Sequence, residues 1–570
     1  MPSVTSRRVR SGATGNSCKK GMLKMDSARI VATVIFVGSI IMLGDAWLKK
    51  DQGLKVNMIN AEQGVSTVPQ AAISNSGNDE ESLPSLSKIT SDVGDYVQVN
   101  TDLFSAKIAL LGGGIKELTL TKHHGKDSKA DALRLFEIAG GRTYIAESGL
   151  IGEGLPNHNS LFTSRDSEYT LTSNSNQLIV TLFSRTESVD VTKKYIFNRD
   201  SYAIDLEYQI ENNNNTPITP NAYFQLLRDG GGADGDTKLQ PTYTGGAVYS
   251  DETKFIKVDF KDMDKGKLKF PQKTEDGWVG FVQHYFVAAW LPKEGKNREN
   301  FMKSLGNNLY AMGYVEESTD IAGGGTGTFS SRLYAGPQEQ SVLKKLAPGL
   351  DLVVDYGWLT IIASPLFWLL STLQGFVGNW GWSIVLLTII IKLVFFPLSA
   401  AGYKSMAKMR VMAPRLKTLK ETYGDDKQKF QQAMMDLYRK EKINPLGGCL
   451  PILVQIPFFI ALYWVLLASV ELRDAPFIFW ITDLSAKDPF YVLPVLMALS
   501  MVAQSWLSPA PPDPIQAKVM KIMPVVFSIF FFFFASGLVL YWLVNNVLSI
   551  AQQWTITRAI EGKKSANVKQ

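Results

Sequence analysis

Residues 380–400 read WGWSIVLLTIIIKLVFFPLSA, and the one lysine in this run, Lys392, decides how the chain must fold. Between Gly357 and Tyr403 it is the only side chain ionised at neutral pH. A run this apolar is long enough to cross a bilayer. A lysine near the centre of a spanning helix costs roughly 2.5–3.5 kcal/mol on insertion scales. Such a residue needs water, a partner or a function.

The flanks set the direction of the crossing. Residues 402–447 carry eleven Lys/Arg against five Asp/Glu, and positive loops stay on the cytoplasmic side. Far upstream, residues 1–29 are basic and 30–48 are apolar, with Asp45 the only charge. That pattern is an uncleaved anchor with a cytoplasmic N-terminus, since no A-x-A cleavage pattern follows it. Met22 and Met25 are candidate starts just before it. One anchor running outward leaves room for only one crossing before the basic loop. The expectation is therefore that 355–377, broken by Pro365, lies along the outer interface, with Trp358 and Trp368 at headgroup level. Span two is then 380–401.

The basic loop 402–447 reads as a helical hairpin, with Lys404–Glu421 and Asp426–Lys442 as its arms. Tyr423-Gly424-Asp425 turns between them, and Asp425 or Asp426 can cap the second arm. Spans three (448–470) and four (490–507) follow, joined by an external loop at 471–489. A cytoplasmic connection at 508–521 contains PAPPDP. Residues 522–557 then hold no charge, which is too long for one span, so spans five (522–535) and six (538–557) are expected with a break near Ala535-Ser-Gly537. A basic tail at 558–570 ends inside. The fold class expected is a polytopic α-helical membrane protein of six spans, with the N- and C-termini cytoplasmic.

Residues 49–95 are rich in Ser, Asn, Gln and Gly and read as a linker. Residues 96–348 change texture: short β-rich runs are separated by turn clusters such as Asn212–Asn215 and Gly323–Gly327, which predicts a large antiparallel sandwich on the outer side. Cys18 and Cys449 lie in very different segments, so no disulfide framework supports this domain. Asp229–Asp236 lacks the ligand spacing and closing glutamate of a calcium loop. Gly323–Gly327 lacks the Lys-Ser/Thr of a phosphate loop. His123, His124, His158 and His284 show no ligand spacing. No metal and no cofactor are expected.

Polar side chains recur at helical spacing within the spans. Thr388 and Lys392 are four apart, as are Ser500 and Gln504. Tyr541, Asn545, Ser549 and Gln553 form a stripe in the last span, and Gln455 lies early in span three. Lipid cannot satisfy such groups, so they face the bundle interior. Each one alone reads as an interhelical hydrogen bond. Lys392 can either snorkel to the cytoplasmic surface, roughly 10 Å away at helical rise, or sit in a wet cavity open to the cytoplasm. The spans contain no nucleophile–base pair, carboxylate dyad or nucleotide loop. The chemistry expected is therefore not enzymatic.

From Asp355 to Ile560 the chain resembles the YidC membrane-protein insertase family, related to the Oxa and Albino proteins. The segments that carry the likeness are VDYGWL (354–359), GNWGWSI (378–384), SMAKMR (405–410), YGDDKQK (423–429), NPLGGCLPILVQIPFFIALYW (444–464), SVELRDAPF (469–477), DLSAKDPFYVLP (483–494) and SGLVLYWLVNN (536–546). The resemblance implies the Gram-negative form: a five-helix insertase core in the inner membrane and a large periplasmic β-supersandwich domain similar to galactose-mutarotase folds, which TDLFSAKIALLGGGIKELTL (101–120) fits. It also implies a hydrophilic groove open to the cytoplasm, with Lys392 standing where many bacterial relatives carry arginine. The substrate-groove residues expected are Lys392, Thr388, Gln455, Gln504, Tyr541, Trp542, Asn545 and Ser549. The partners implied are nascent membrane proteins, the Sec translocon, the bilayer, and the ribosome at the basic hairpin and tail. Met406, Met409, Met412, Met434 and Met435 either adapt to those partners or pack the hairpin together. A membrane-anchored periplasmic carbohydrate-binding protein or enzyme, and a passive assembly chaperone, are the alternative functions.

Overall fold

The computed structural model describes residues 95–125, 131–232, 242–266, 268–423, 426–441, 450–508 and 514–567. The basic N-terminus, the anchor at 30–48, the linker up to 94, the 233–236 part of the acidic loop, Gly424 and Asp425 of the hairpin turn, residues 442–449 and the PAPPD stretch lie outside the described residues.

Strands dominate the described residues between 96 and 337, interrupted by one short helix at Phe260–Asp264. In Val189–Asn198, Val189, Val191, Lys193, Tyr195 and Phe197 point inward and the residues between them outward, the period-two pattern of a half-buried strand. One sheet has ten strands in the order Lys273–Thr274, Arg298–Gly306, Leu309–Glu316, Asn221–Asp229, Arg142–Ile151, Ala132–Ala139, Ile115–His124, Phe104–Ala109, Tyr96–Asn100 and Glu168–Thr170. The other has nine, in the order Lys254–Val258, Gly245–Ser250, Trp278–Gln283, Phe286–Pro292, Thr326–Pro337, Ala203–Asn212, Val189–Asn198, Gln177–Arg185 and Thr163–Ser164. Both contribute to one core, with Phe104, Phe136 and Phe224 from the first meeting Val180, Tyr208 and Trp290 from the second. The expected large antiparallel sandwich is present. Its pairings are antiparallel except that between Tyr96–Asn100 and Glu168–Thr170.

Helices take over after the sheets. Helix α1 (Gln340–Leu346) leads through a short helical turn at Leu350–Val353 to α2 (Thr360–Val377). Gly378 ends α2 at φ 70°, a left-handed conformation that glycine adopts freely. The Asn379 side chain then accepts a hydrogen bond from the Trp382 N–H and caps α3 (Trp380–Val394). The long helix expected over 380–401 is not continuous. α3 stops at Val394, and α4 (Phe396–Tyr423) sets off at 68° to it. Pro397 explains the break: it has no N–H to give the Leu393 carbonyl, and its ring clashes there, so it sits in the first turn of a new helix instead. The first arm of the hairpin therefore starts at Phe396, eight residues before Lys404.

Asp426 caps α5 (Lys427–Lys440), accepting from the N–H groups of Gln428 and Lys429. Met412, Leu416 and Tyr438 form the seam of the hairpin, with Met409 and Met434 against them. Arg415 and Glu441 close it with a 2.7 Å ion pair. Three of the five methionines thus pack the arms together, whereas Met435 is exposed.

The remaining helices are α6 (Leu450–Ala468), α7 (Val492–Leu507), α8 (Pro514–Phe530) and α9 (Ser536–Asn567). Two boundaries differ from expectation. α8 begins at Pro514, inside the expected 508–521 connection, because proline is well placed at the first position of a helix. α9 runs on through the expected tail as far as Asn567, since 558–567 holds no proline and only one glycine, which weakens a helix without ending it. The break near Ala535 lies where it was expected. By length and composition, α2 on its own and α3 with α4 as a bent pair are apolar enough to cross a membrane. On α2, Ile361, Trp368 and Phe376 are exposed, whereas Ala363, Leu366 and Leu370 pack inward.

Candidate functional site

α3 places Lys392 against α9. The lysine is only 5% exposed, so its ammonium meets a hydroxyl rather than open solvent: Nζ donates to Ser549 Oγ at 2.7 Å. Ser549 Oγ in turn donates to the Asn545 carbonyl one turn back, also at 2.7 Å. The Asn545 side chain accepts from Gln455 Nε2 on α6 at 3.4 Å. Lys392, Ser549, Asn545 and Gln455 therefore form one polar seam linking α3, α9 and α6. Among the described residues no carboxylate lies within ion-pair distance of Lys392. A charge held by neutral dipoles alone is an uncommon arrangement in an apolar setting.

The other candidates lie around this seam in different ways. Thr388 is buried one turn before Lys392 and returns its hydroxyl to the Ile384 carbonyl at 2.7 Å, the usual way a membrane helix satisfies threonine. Tyr541 is buried on α9 with its ring against Phe459, and its hydroxyl finds no hydrogen-bond partner among the described residues. Trp542 faces elsewhere. It joins Phe459, Phe531 and Tyr463 around an apolar pocket of about 210 Å³. Gln504 is half-buried on α7, and its backbone carbonyl accepts from Ser508. The structure thus gathers four of the eight candidates and sets Trp542 and Gln504 apart from them.

One polar contact in the bundle carries a residue the sequence reading did not single out. Asn546 Nδ2 donates to Ser500 Oγ at 2.7 Å, joining α9 to α7. Its signal was its place beside Asn545, on the adjoining face of the same helix. Gln553 makes a further link, to the Leu507 carbonyl at 2.9 Å.

A second buried lysine lies in the sandwich and also went unnoticed. Lys193 is fully buried. Its Nζ donates to the Gly112 carbonyl at 3.3 Å and stands 5.2–5.6 Å from the rings of Tyr208, Tyr195 and Phe162. Burial holds its pKa well below the usual lysine range, with the Glu147 carboxylate pulling back the other way. Burial also pushes Glu147 upward, but Lys116 at 2.6 Å, His158 and the Gln225 amide outweigh it and hold the carboxyl at about 2. His123 lies edge-on to Phe286 and His158 edge-on to Tyr223, whose hydroxyl also bonds the His158 ring, and His284 Nε2 meets the Leu467 carbonyl at 3.2 Å. Asp229 spends its oxygens on the N–H groups of Thr143 and Gly231, which makes it a turn residue.

The two halves of the chain match two family models that meet near α2. Residues 96–369 match the YidC periplasmic domain, and residues 372–564 match the 60Kd inner membrane protein. A β-sheet domain joined to an apolar helical region with a charged seam thus defines an inner-membrane protein class with a large hydrophilic domain. The membrane protein insertase YidC of Methylobacillus flagellatus is 51% identical over 96% of this chain and 100% of its own length. The chain belongs to the YidC family. A crystal structure of an active YidC insertase with its first transmembrane domain resolved aligns with 80% of this chain and 92% of its own, at 19% identity and a TM-score of 0.40. A galactose mutarotase related enzyme from Lactobacillus acidophilus aligns with 42% of this chain at 9% identity and a TM-score of 0.27. At those scores neither likeness bears on function.

Proposed function

We propose that this chain is a membrane-protein insertase of the bacterial inner membrane. The observation that carries the reading is the Lys392–Ser549–Asn545–Gln455 seam, a buried cation held by neutral groups in a chain half-identical to an insertase. A nascent segment enters from the cytoplasm, and its polar tail takes the place of the neutral partners around Lys392. That contact shortens the path of the tail through hydrocarbon. The apolar helix of the segment leaves sideways into lipid, and its transfer drives the step. The membrane potential assists acidic tails crossing outward. No nucleotide or covalent step is required.

The topology that goes with this reading has six spans and both termini in the cytoplasm. The β-sandwich lies in the periplasm and α2 along the outer interface. The basic hairpin and tail meet the ribosome, and the protein works alone or beside the Sec translocon. The test is insertion into reconstituted liposomes. Lys392→Ala is expected to impair small single-span substrates by about ten-fold, equivalent to ~1.4 kcal/mol; wild-type insertion would remove the reading. Removing most of residues 96–335 while keeping the helical bundle separates it from a periplasmic carbohydrate enzyme, because an insertase retains measurable activity without them and the enzyme loses its own. Crosslinks from nascent chains to Asn545 or Ser549, formed before release from the ribosome, separate insertion from later assembly help.

A further inference from the structure

The segment between α6 and α7 touches more of the molecule than a connection needs to. On one side it enters the sandwich. Val470 is buried within the β-domain core. The Arg473 guanidinium donates to the His124 carbonyl and lies over the rings of Tyr285 and Phe286 at 5.5 and 5.4 Å. Asp474, held at φ 56°, places its carboxylate 3.5 Å from His124 Nδ1. A non-glycine residue in that conformation is retained where surrounding contacts over-determine it.

On its other side the same segment holds the outer ends of three helices. For α3, Asn379 Nδ2 donates to the Pro476 carbonyl at 3.1 Å, and the Phe477 ring lies so close to Gly381 that an added Cβ would come within 2.1 Å of it. For α7, Asp488 accepts from the N–H groups of Phe490 and Leu493 and from the Trp480 indole. For α9, the N–H groups of Ser536 and Gly537 donate to the carbonyls of Ala486 and Leu484 at 2.7 and 2.8 Å. These are the helices that carry Lys392, Ser500 and the Asn545–Ser549 stripe. The seam begins roughly 12–18 Å along α9 from Gly537 at helical rise.

We propose that residues 469–488 are a keystone through which the β-domain sets the spacing of α3, α7 and α9, so that a displacement of the β-domain is transmitted to the polar seam. The physical warrant is contiguity of directional contacts with little slack. The α7 end is fixed by a buried carboxylate and the α9 end by backbone hydrogen bonds, while the α3 end is held by the Asn379 side chain and the Phe477 ring; an end released from such contacts would fray into water. Arg473 and Phe477 are positioning residues in this account: they touch neither Lys392 nor any substrate. The importance of the seam rests on the insertase reading, but the linkage itself does not.

Hydrogen exchange of the full-length protein in phospholipid nanodiscs tests the linkage without an insertion assay. Arg473→Ala is expected to speed exchange in peptides covering 380–386 and 536–545 by about three- to ten-fold, the scale of local opening at a released helix end. Arg473→Lys, which keeps a cation over the rings, restores most of the protection. Gly381→Ala pushes Phe477 away from the membrane side without touching the β-domain, and is expected to speed exchange in the same peptides. It also carries the test if Arg473→Ala fails to fold. Unchanged exchange in those peptides, in either variant with an intact β-domain transition, overturns the proposal. Insertion measured on the same variants reads the functional proposal separately.

Discussion

Lys193 and Lys392 are both buried lysines with no carboxylate within ion-pair distance among the described residues, yet their surroundings differ in kind. Lys193 is boxed by three aromatic faces and one carbonyl inside a sheet sandwich. Lys392 faces a hydroxyl on a neighbouring helix, in a seam of groups that can exchange partners. A ring face and a fixed carbonyl offer a substrate nothing to replace. A serine hydroxyl that already donates elsewhere can be displaced by a better acceptor, such as a carboxylate. On the insertase reading, the contrast separates a lysine tolerated by its domain from one available to a substrate.

Exchanging Lys193 for methionine is the strongest way to break that comparison. Replacing a buried ionisable side chain with a well-packed apolar one is commonly stabilising, and here a gain of about 1–3 kcal/mol is expected, less whatever the orphaned Gly112 carbonyl costs. For a domain this size that raises Tm by roughly 2–4 °C per kcal/mol. The pH dependence has a definite sign. The folded-state pKa of Lys193 is depressed, so between that value and 10.5 the unfolded chain binds the extra proton. Stability therefore rises with pH through that window, and Lys193→Met loses the slope. Calorimetry of the full-length protein from pH 6 to pH 10 checks both points. Insertion is expected to be unchanged. A Lys193→Met protein that inserts poorly would mean that the sandwich lysine also works.

A smaller effect is expected at Glu471, in the contact between the segment joining α6 to α7 and α1. Burial lifts this carboxyl to about 7; hydrogen bonds from its own N–H and that of Gln340 oppose the rise, and the Glu339 carboxylate adds to it. Tyr356, bonded to Gln340, is the other titratable group facing it. Below 4.5 both folded and unfolded chains hold the proton. Between 4.5 and about 7 only the folded chain does, so docking weakens as pH rises through that window and is level above it. Glu471→Gln mimics the protonated form. It is expected to raise the melting temperature at pH 8 and to leave it unchanged at pH 4. An equal gain at both values would show a packing effect with no titration behind it.

The two lysines also show what the sequence makes visible. Lys392 announces itself because no other side chain between Gly357 and Tyr403 is ionised, and a charge there has only a few physical explanations. Lys193 hides in VDVTKKYIFN, where polar residues are expected at alternate positions. Its parity with Val191 and Tyr195 nevertheless places it on the inward face, so strict period-two counting would have found it. The sandwich and the break at Ala535 were legible from turn clusters and run lengths. The 68° turn at Phe395 was not, because hydropathy runs straight through Pro397 and only the backbone chemistry of proline stops the helix there. At the candidate site, spacing on α9 aligned Asn545 with Ser549, but no single-helix pattern could say that Trp542, one residue from Tyr541, turns instead into the aromatic pocket. The role of residues 469–488 was equally out of reach, since it depends on contacts with partners as distant in the chain as His124 and Ser536.

The finest distinction concerns the kind of cation the seam accepts. Lysine presents a compact ammonium with three donors, and one of them is used on Ser549. Arginine presents a planar fork of five donors that matches a carboxylate two bonds at a time. The seat around residue 392 is nearly closed, so the larger head must displace neighbours, and overpacking of this size costs about 1–3 kcal/mol. A guanidinium would find further acceptors in the carbonyl and side-chain oxygens of Asn545, which offsets part of that cost. If the seam only needs positive charge, Lys392→Arg inserts small substrates within about two-fold of wild type, a difference of less than ~0.5 kcal/mol. If bidentate geometry matters, the variant inserts substrates with acidic tails faster than wild type and leaves neutral tails unchanged. Rates for matched acidic and neutral tails in the same liposomes decide between charge and shape. A loss as large as that of Lys392→Ala would mean that the seat is specific for lysine, and that its closeness around Nζ is part of how it works.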